Sequence, residues 1–373
     1  MIIAASVAVD VKHPRAKKEY TYLVPEELAF SINIGDLVCV PFNNIKVSGV
    51  VTDLFDSIEK TSDYKLKEVI SKEAVSLSAE LVDLSRILAK YYGTPVIDFL
   101  RLMLPPKVST KKESVYSICS TDKVISSRAF NQKQVLEFII NNGNVTVNDI
   151  SENLKITISS IRSALTALTK KGIIKREYRV IRRKPMIISG ENNNGHINLT
   201  LEQQNAVATI TEGFRNAKKT TLIYGVTGSG KTEVYIRAIE RVLNKGKNAL
   251  ILVPEISLTP QMLSIFRRRF PGKTAVIHSR LSPGERFDEW QRIFSPIQDL
   301  GMIIIDEEHE TSYKNGEHPY YDARTVAKFR AKKQDAMLVL GSATPSVESF
   351  YRVAKGEYSL VKLTSKFSPL ATL

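Results

Sequence analysis

Short apolar runs broken by turn residues open the chain. Ile2–Val9, Tyr20–Val24, Leu37–Val40 and Val47–Val51 are rich in β-branched and aromatic residues, and Pro25, Gly35, Pro41-Phe42 and Gly49 punctuate them. Closely spaced short strands of this kind predict a small barrel or sandwich. From Ser78 to Tyr92 the period changes: Leu81, Leu84, Leu88 and Tyr91 recur at three or four residues, which predicts a helix with one apolar face. Between about 115 and 185 the pattern predicts a winged helix. A first helix holds Val135, Leu136, Phe138 and Ile139, a second spans Val147–Leu154, and a third carries Ile158, Ile161, Leu165 and Leu168. Thr157 is its candidate N-cap, Gly172 its stop, and Ile173–Ile181 the candidate wing.

Beyond the polar, turn-rich stretch Glu191–Gly195, which reads as a linker, the texture changes again. Thr221–Tyr224, Ala249–Val253, Thr274–Ile277, Met302–Ile305 and Met337–Leu340 are short buried-type runs separated mostly by helical stretches. That alternation predicts an α/β fold with a doubly wound parallel sheet. Three domains follow: residues 1–110 (β-rich), 111–190 (winged helix) and 191–373 (α/β).

Composition adds one constraint. The net charge is +14, so a polyanion partner is expected, either nucleic acid or an anionic membrane surface. The Lys/Arg-rich stretch from Lys170 to Lys184, opposed by Glu177 alone, follows the third helix, an arrangement that serves DNA docking, protein–protein contact or a plain spacer. Cys39 and Cys119 form no CxxC pair, so neither a zinc ribbon nor a disulfide scaffold is supported, as suits a reducing cytoplasm. No apolar run approaches the length of a membrane span, and the apolar N-terminus reads as a strand, not a signal peptide.

The strongest chemical signal is Gly225-Val-Thr-Gly-Ser-Gly230-Lys231-Thr232, a complete GxxxxGK[ST] loop between an apolar strand and a helical stretch. Backbone N–H groups of such a loop, from Gly225, Thr227, Gly228, Ser229 and Gly230, curl around phosphate oxygens, with Lys231 reaching the β- and γ-phosphates and Thr232 ligating Mg²⁺. Asp306-Glu307-Glu308-His309 follows an apolar strand and so falls in the crevice at the strand ends. Asp306 is a candidate for Mg²⁺, and Glu307 for orienting and deprotonating the attacking water. Gly341-Ser342-Ala343-Thr344 ends a third strand, and its hydroxyls, with His309, are candidates for coupling the site to a neighbouring domain.

In this order, the three sets resemble the helicase superfamily that contains the DEAD and DEAH proteins, and hence imply a RecA-like motor lobe. Longer matches are similar to the bacterial primosomal, or replication-restart, DNA helicases: Gly225–Tyr235, Val253–Gln261, His278–Arg286 with Trp290, Asp306–Glu310 with Tyr313-Lys314, and Gly341–Ser346. Leu199–Gln203 resembles the motif whose glutamine, here Gln203, reads adenine. At the N-terminus, Tyr22–Glu26, Gly35 through Phe42, Leu66-Lys67 and Tyr91-Tyr92 resemble that family's domain for nascent DNA 3′ ends. The resemblance implies a 3′-end pocket at Tyr20, Thr21, Gly35 and Lys67. The family commonly has Phe-Asp where this chain has Tyr20-Thr21, which keeps a ring for stacking but loses a carboxylate. After the acidic motif the resemblance implies an aromatic-rich loop, with Tyr320, Tyr321 and Arg324 on single-stranded DNA and Tyr313 beside them.

Two departures stand out. Trp290–Phe294 runs almost directly into Pro296–Gly301, where the family has a further strand and a DNA-touching loop. The chain also stops soon after Gly341–Pro345, before the family's second lobe with its zinc insertion and arginine finger, so zinc is expected only there. The resemblance implies a cytoplasmic, nucleoid-associated 3′→5′ DNA helicase. It would act on forked and single-stranded DNA with ATP and Mg²⁺, alongside primosome proteins and single-strand-binding protein. This chain would hold the DNA-binding domains and first motor lobe. The alternative is a non-catalytic DNA- and ATP-binding module. An RNA helicase would lack the 3′-end domain.

Overall fold

The computed structural model describes residues 2–11, 19–57, 66–105, 112–119, 130–154, 156–180, 198–213, 219–255, 257–294 and 299–366. The stretch Glu191–Gly195 and the last part of the basic stretch lie outside them.

The N-terminal strands are β1 (Ala4–Val9), β2 (Tyr20–Leu23), β3 (Asp36–Phe42), β4 (Ile45–Phe55) and β5 (Ser71–Ser76), in the order β2-β1-β4-β3-β5. The pairings are antiparallel. The segment leading into β5 closes this sheet. Leu23 donates its N–H to the Lys67 carbonyl at 2.9 Å, and Ile70 donates to Cys39 at 2.8 Å, so one stretch of chain bonds both edges. The result is a small barrel, not a sandwich, around Val7, Tyr22, Val38, Val40 and Val51. Closure matters because an open edge would leave N–H and C=O groups unpaired.

Two helices follow, α1 (Ala79–Tyr92) and α2 (Val96–Met103). Ser78 caps α1, its hydroxyl accepting from Leu81 N, and Gly93 ends it in the left-handed region at φ 69°. Leu84 and Leu88 are buried as their spacing predicts, but Tyr91 is 60% exposed and lies outside the apolar stripe. The α2 helix was not expected from the apolar spacing.

Residues 106–187 form a separate compact unit with a short segment near 281–288. It contains β6 (Lys112–Ile118), α3 (Phe130–Asn142), β7 (Val145–Thr146), α4 (Val147–Leu154), α5 (Ile158–Lys170) and β8 (Ile174–Val180). The three helices and the wing stand where the pattern put them. The wing's partner, β6, was unforeseen: it pairs antiparallel with β8 along its whole length. Thr157 occupies the N-cap position of α5, yet its side chain makes no cap bond to the backbone; the hydroxyl bonds Ser160 Oγ at 2.9 Å instead.

The rest is α6 (Leu201–Glu212), β9 (Thr220–Gly225), α7 (Lys231–Leu243), β10 (Asn248–Leu252), α8 (Pro260–Arg269), α9 (Pro283–Phe294), β11 (Leu300–Ile305), α10 (Ala323–Lys333), β12 (Met337–Ser342), α11 (Val347–Ala354) and β13 (Ser359–Leu363). Its sheet is parallel, in the order β10-β11-β12-β9-β13. The central strands β11 and β12 are buried at every position, as strands covered on both faces must be. Thr274–Ile277 is not a strand, contrary to its apolar composition. Side chains take its backbone groups: Val276 N donates to Glu289 Oε2 at 2.8 Å, and Arg292 donates to the Thr274 carbonyl at 3.1 Å. Nor is there a gap where a strand was expected before Asp306. Beyond residues 295–298, which are not described, β11 pairs directly with β10 and β12, leaving β10 at the edge of the described sheet.

The barrel domain and this α/β lobe cluster as one compact unit. Trp290, Tyr321, Val326 and Phe329 pack on the cluster formed by Leu84, Leu88 and Phe99. Trp290 also donates its indole N–H to the Met103 carbonyl at 3.0 Å. Trp290→Phe keeps most of the ring and removes that donor. It is expected to lower stability by about 1 kcal/mol in thermal unfolding; an unchanged melting curve would mean that water satisfies Met103 equally well.

Candidate nucleotide site and nucleic-acid interface

The site is assembled at the C-terminal ends of β9, β11 and β12, which are parallel and adjacent. The phosphate loop leaves β9 at Gly225 and enters α7 at Lys231. Gly228 and Gly230 have φ of 80° and 78°, which turns the loop's backbone inward. Thr227 is exposed at its tip, and Ser229 is buried with its hydroxyl oxygen unpartnered. An orphaned hydroxyl inside a ring of amides at a helix N-terminus suits a phosphate group. Lys231 Nζ donates to the Gly225 carbonyl at 2.8 Å and lies 3.5 Å from Glu307 Oε1. Thr232 stands beside it in the first turn of α7.

Gln203 belongs to a capping box at the start of α6: its Oε1 accepts from Thr200 N, and Thr200 Oγ1 accepts from Gln203 N. The buried amide Nε2 donates to the Ser229 carbonyl at 3.0 Å, so Gln203 also braces the phosphate loop. The repeated apolar spacing could not have revealed that bond, which joins residues 26 apart.

Asp306 directly follows β11 and is nine-tenths buried. Burial pushes its carboxyl above the usual aspartate value; the hydrogen bond from Tyr235 pulls it back, and the Glu307 charge pushes it up again. Tyr235 Oη donates to Asp306 Oδ1 at 2.9 Å from a fully buried position on α7, and desolvation raises the phenol far above its ordinary range. Sequence reading missed Tyr235 as an orienting group. Glu307 has a left-handed backbone, φ 44°, rare for a residue with a Cβ, and this aims its carboxylate between Lys231 and His309. His309 Nδ1 lies 2.7 Å from Ser342 Oγ, which also accepts from Thr344 N at 2.9 Å. The acidic motif and the Ser-Ala-Thr element are therefore hydrogen-bonded. Glu308 adds a second tie: buried, it accepts from Ser346 N, Ser346 Oγ and Ser349 Oγ at the start of α11.

The candidate DNA residues fall in two places. Tyr20 lies on β2, its ring edge-on to Phe42 with centroids 5.3 Å apart. Thr21 next to it is exposed, as is Lys67, whose carbonyl accepts from Leu23 N. Gly35 stands just ahead of β3, on another strand of the barrel. Its φ is 94°; its N–H donates to the Val51 carbonyl and its carbonyl accepts from Leu77 N, each at 2.8 Å, and a Cβ would sit 1.9 Å from the Leu77 carbonyl oxygen. Its glycine is required by packing. The turn that does follow Phe42 is Asn43-Asn44, both left-handed, at φ 42° and 65°.

The loop after the acidic motif contains the second group. Tyr320 is 64% exposed. Tyr321 packs near Phe99, with centroids 6.2 Å apart, and the Arg324 guanidinium grips Asp322 and donates to the Glu308 carbonyl at 2.8 Å. Tyr313 is buried, bonding the carbonyls of Asp306 at 2.6 Å and Leu252 at 3.1 Å, so it pins the loop to the sheet. Of these aromatic groups, Tyr320 presents the open ring.

No helix among the described residues is long and apolar enough to cross a membrane, and no cluster of candidate metal ligands was found among them. Comparison with known proteins gives three family-model matches. A 3′ DNA-binding domain (3′BD) model matches residues 6–105, a winged helix-turn-helix DNA-binding model residues 131–175, and a type III restriction enzyme res subunit model residues 196–347. The replication restart protein PriA of Bacillus subtilis (strain 168) is 33% identical over 450 residues, covering 96% of this chain and 55% of that protein. PriA of Chlamydia muridarum is 32% identical, covering 93% and 50%, and PriA of Haemophilus influenzae 32%, covering 96% and 52%. The chain thus spans about half the length of the curated relatives it matches. With this similarity along about 95% of its length, and a 3′ DNA-binding domain ahead of a helicase-like one, the chain belongs to the replication restart protein PriA family as an N-terminal portion.

Proposed function

We propose that this chain is the DNA-recognising and ATP-binding portion of a 3′→5′ DNA helicase that restarts replication at stalled forks, with primosome proteins and single-strand-binding protein as partners of the whole protein. One observation carries the reading. The Lys231 ammonium and Glu307 carboxylate lie 3.5 Å apart beside the phosphate loop, with Asp306 at the adjoining strand end. An ammonium there binds the β- and γ-phosphates, and a carboxylate on the other side orients a water for in-line attack. Thr232 and Asp306 would hold Mg²⁺. When bound, that ion supplies charge neutralisation along the phosphate oxygens. Tyr235 fixes the Asp306 carboxylate for that role through its 2.9 Å bond. Tyr20, Thr21 and Lys67 would receive a DNA 3′ end, and Tyr320 would stack on single-stranded bases.

The test has two arms. A fluorescent ATP analogue is titrated into the chain with and without Mg²⁺. Forks ending in a 3′-hydroxyl or a 3′-phosphate are then compared by anisotropy. The expected outcome is saturable, Mg²⁺-dependent nucleotide binding and tighter binding of the hydroxyl-ended fork. Failure to bind nucleotide would remove the motor assignment. Equal affinity for both forks would reduce the barrel to a backbone binder. DNA-stimulated phosphate release separates an enzyme from a module that only binds.

A further inference from the structure

The loop between the acidic motif and α10 is held from two sides, and one of the two holders is the N-terminal DNA domain. On the motor side, Tyr313 bonds the Asp306 carbonyl at 2.6 Å and Arg324 bonds the Glu308 carbonyl at 2.8 Å. Between these pins the loop ties itself into one piece. Asn315 N donates to the Tyr321 carbonyl at 2.7 Å, and Asn315 Nδ2 donates to the Glu317 and Pro319 carbonyls, each at 2.9 Å. On the other side, α1 and α2 grip it. His318 Nε2 lies 2.9 Å from Asp98 Oδ2, and Asp322 N donates to the Tyr92 hydroxyl at 3.1 Å. Asp98 is 8% exposed on α2, with Arg101 as its other neighbour, so it is a fixed acceptor. His318 itself is 56% exposed, and its ring is held by this bond and by an edge-on contact with Tyr320, centroids 6.3 Å apart.

We infer that Asp98 and Tyr92 are positioning residues for the loop carrying Tyr320, so that the barrel domain sets the conformation through which DNA binding reaches Asp306 and Glu308. This inference rests on the functional reading above. The physical basis is the short chain of bonds. From Asp98 to the Asp306 carbonyl, each step is a hydrogen bond or a few residues of loop that is internally bonded. A movement of α2 against the lobe would be transmitted to the backbone of the acidic motif through the loop's internal bonds. Two sites biasing one shared element is what coupling requires.

The experiment measures that coupling on the whole 373-residue chain. The Kd of a fluorescent non-hydrolysable ATP analogue is taken with and without a saturating single-stranded oligonucleotide bearing a 3′-hydroxyl. Wild type is expected to show a ratio of about fivefold or more. The pair His318→Ala with Tyr92→Phe is expected to bring the ratio to within about twofold of one, with the oligonucleotide-free Kd within about twofold of wild type. His318→Gln, which keeps a donor for Asp98, should recover the wild-type ratio; a purely structural role would not predict this rescue. If the pair lowers the melting temperature, His318→Ala alone, at an exposed position, carries the same test. A ratio that survives the substitutions overturns the inference. Wild-type binding of the analogue with a ratio of one overturns it while leaving the functional reading intact. No binding of the analogue by wild type overturns the functional reading itself.

Discussion

Gly341→Ala is expected to destabilise the α/β lobe by about 3 kcal/mol, the upper end of the usual cost of overpacking a core. A Cβ at this position would lie 1.7 Å from Tyr235 Oη and 2.9 Å from Tyr235 Cζ. Neither side has room to give. Gly341 sits in β12 between β11 and β9, paired with Ile223, and Tyr235 is fully buried on α7 among Val207, Ile210 and Ile239. For a lobe of this size the melting temperature should fall by about 6–12 °C. The Tyr235 hydroxyl would also be driven off Asp306, so nucleotide affinity should fall with stability. Tyr235→Phe in the same chain removes the clashing oxygen and leaves Cζ at 2.9 Å. The double variant should therefore recover at least about 1 kcal/mol relative to Gly341→Ala alone, a non-additivity expected of residues in contact. Strict additivity, or a melting temperature within about 2 °C of wild type, would show that the Tyr235 hydroxyl is not where Gly341 leaves space for it.

Lys231→Ala is expected to weaken nucleotide binding by about thirtyfold or more without unfolding the chain. The Lys231 side chain is only 10% exposed, and its ammonium donates to Gly225 O and faces Glu307 Oε1 at 3.5 Å. Truncating one member of a desolvated charge pair at a binding site costs about 2–5 kcal/mol, and 1.4 kcal/mol is a factor of ten. The variant leaves Glu307 without its nearest cation, so the carboxylate would also repel phosphate. Anisotropy titration with a fluorescent ATP analogue reads the loss, and fork binding through the barrel serves as the internal control. A change under about threefold would mean that the phosphates bind elsewhere.

Both predictions concern residues whose role depends on neighbours far along the chain, and this separates what was legible from what was not. The phosphate loop, the acidic cluster and the Ser-Ala-Thr element could be read because each is a local run whose meaning follows from a strand before it. The period of apolar residues likewise placed α1, α3, α4, α5 and the central strands. It failed at Thr274–Ile277, where apolar composition suggested a strand and the side chains of Glu289 and Arg292 took the backbone groups. It also missed β6, whose identity depends on pairing with β8 some 60 residues later.

The sequence by itself determined the domain order, the parallel-sheet lobe and the placing of Lys231, Asp306 and Glu307 just after apolar strands, because motif and periodicity are short-range properties. Only the tertiary structure decided that Gly35 serves packing at Leu77, that Tyr235 orients Asp306, that Arg324 is engaged by Asp322, and that Asp98 and Tyr92 hold the loop of Tyr320. Most of these pairs join residues tens to hundreds of positions apart. Their bonds depend on strand order, helix registry and the docking of one domain on another, and no window of local pattern contains that information.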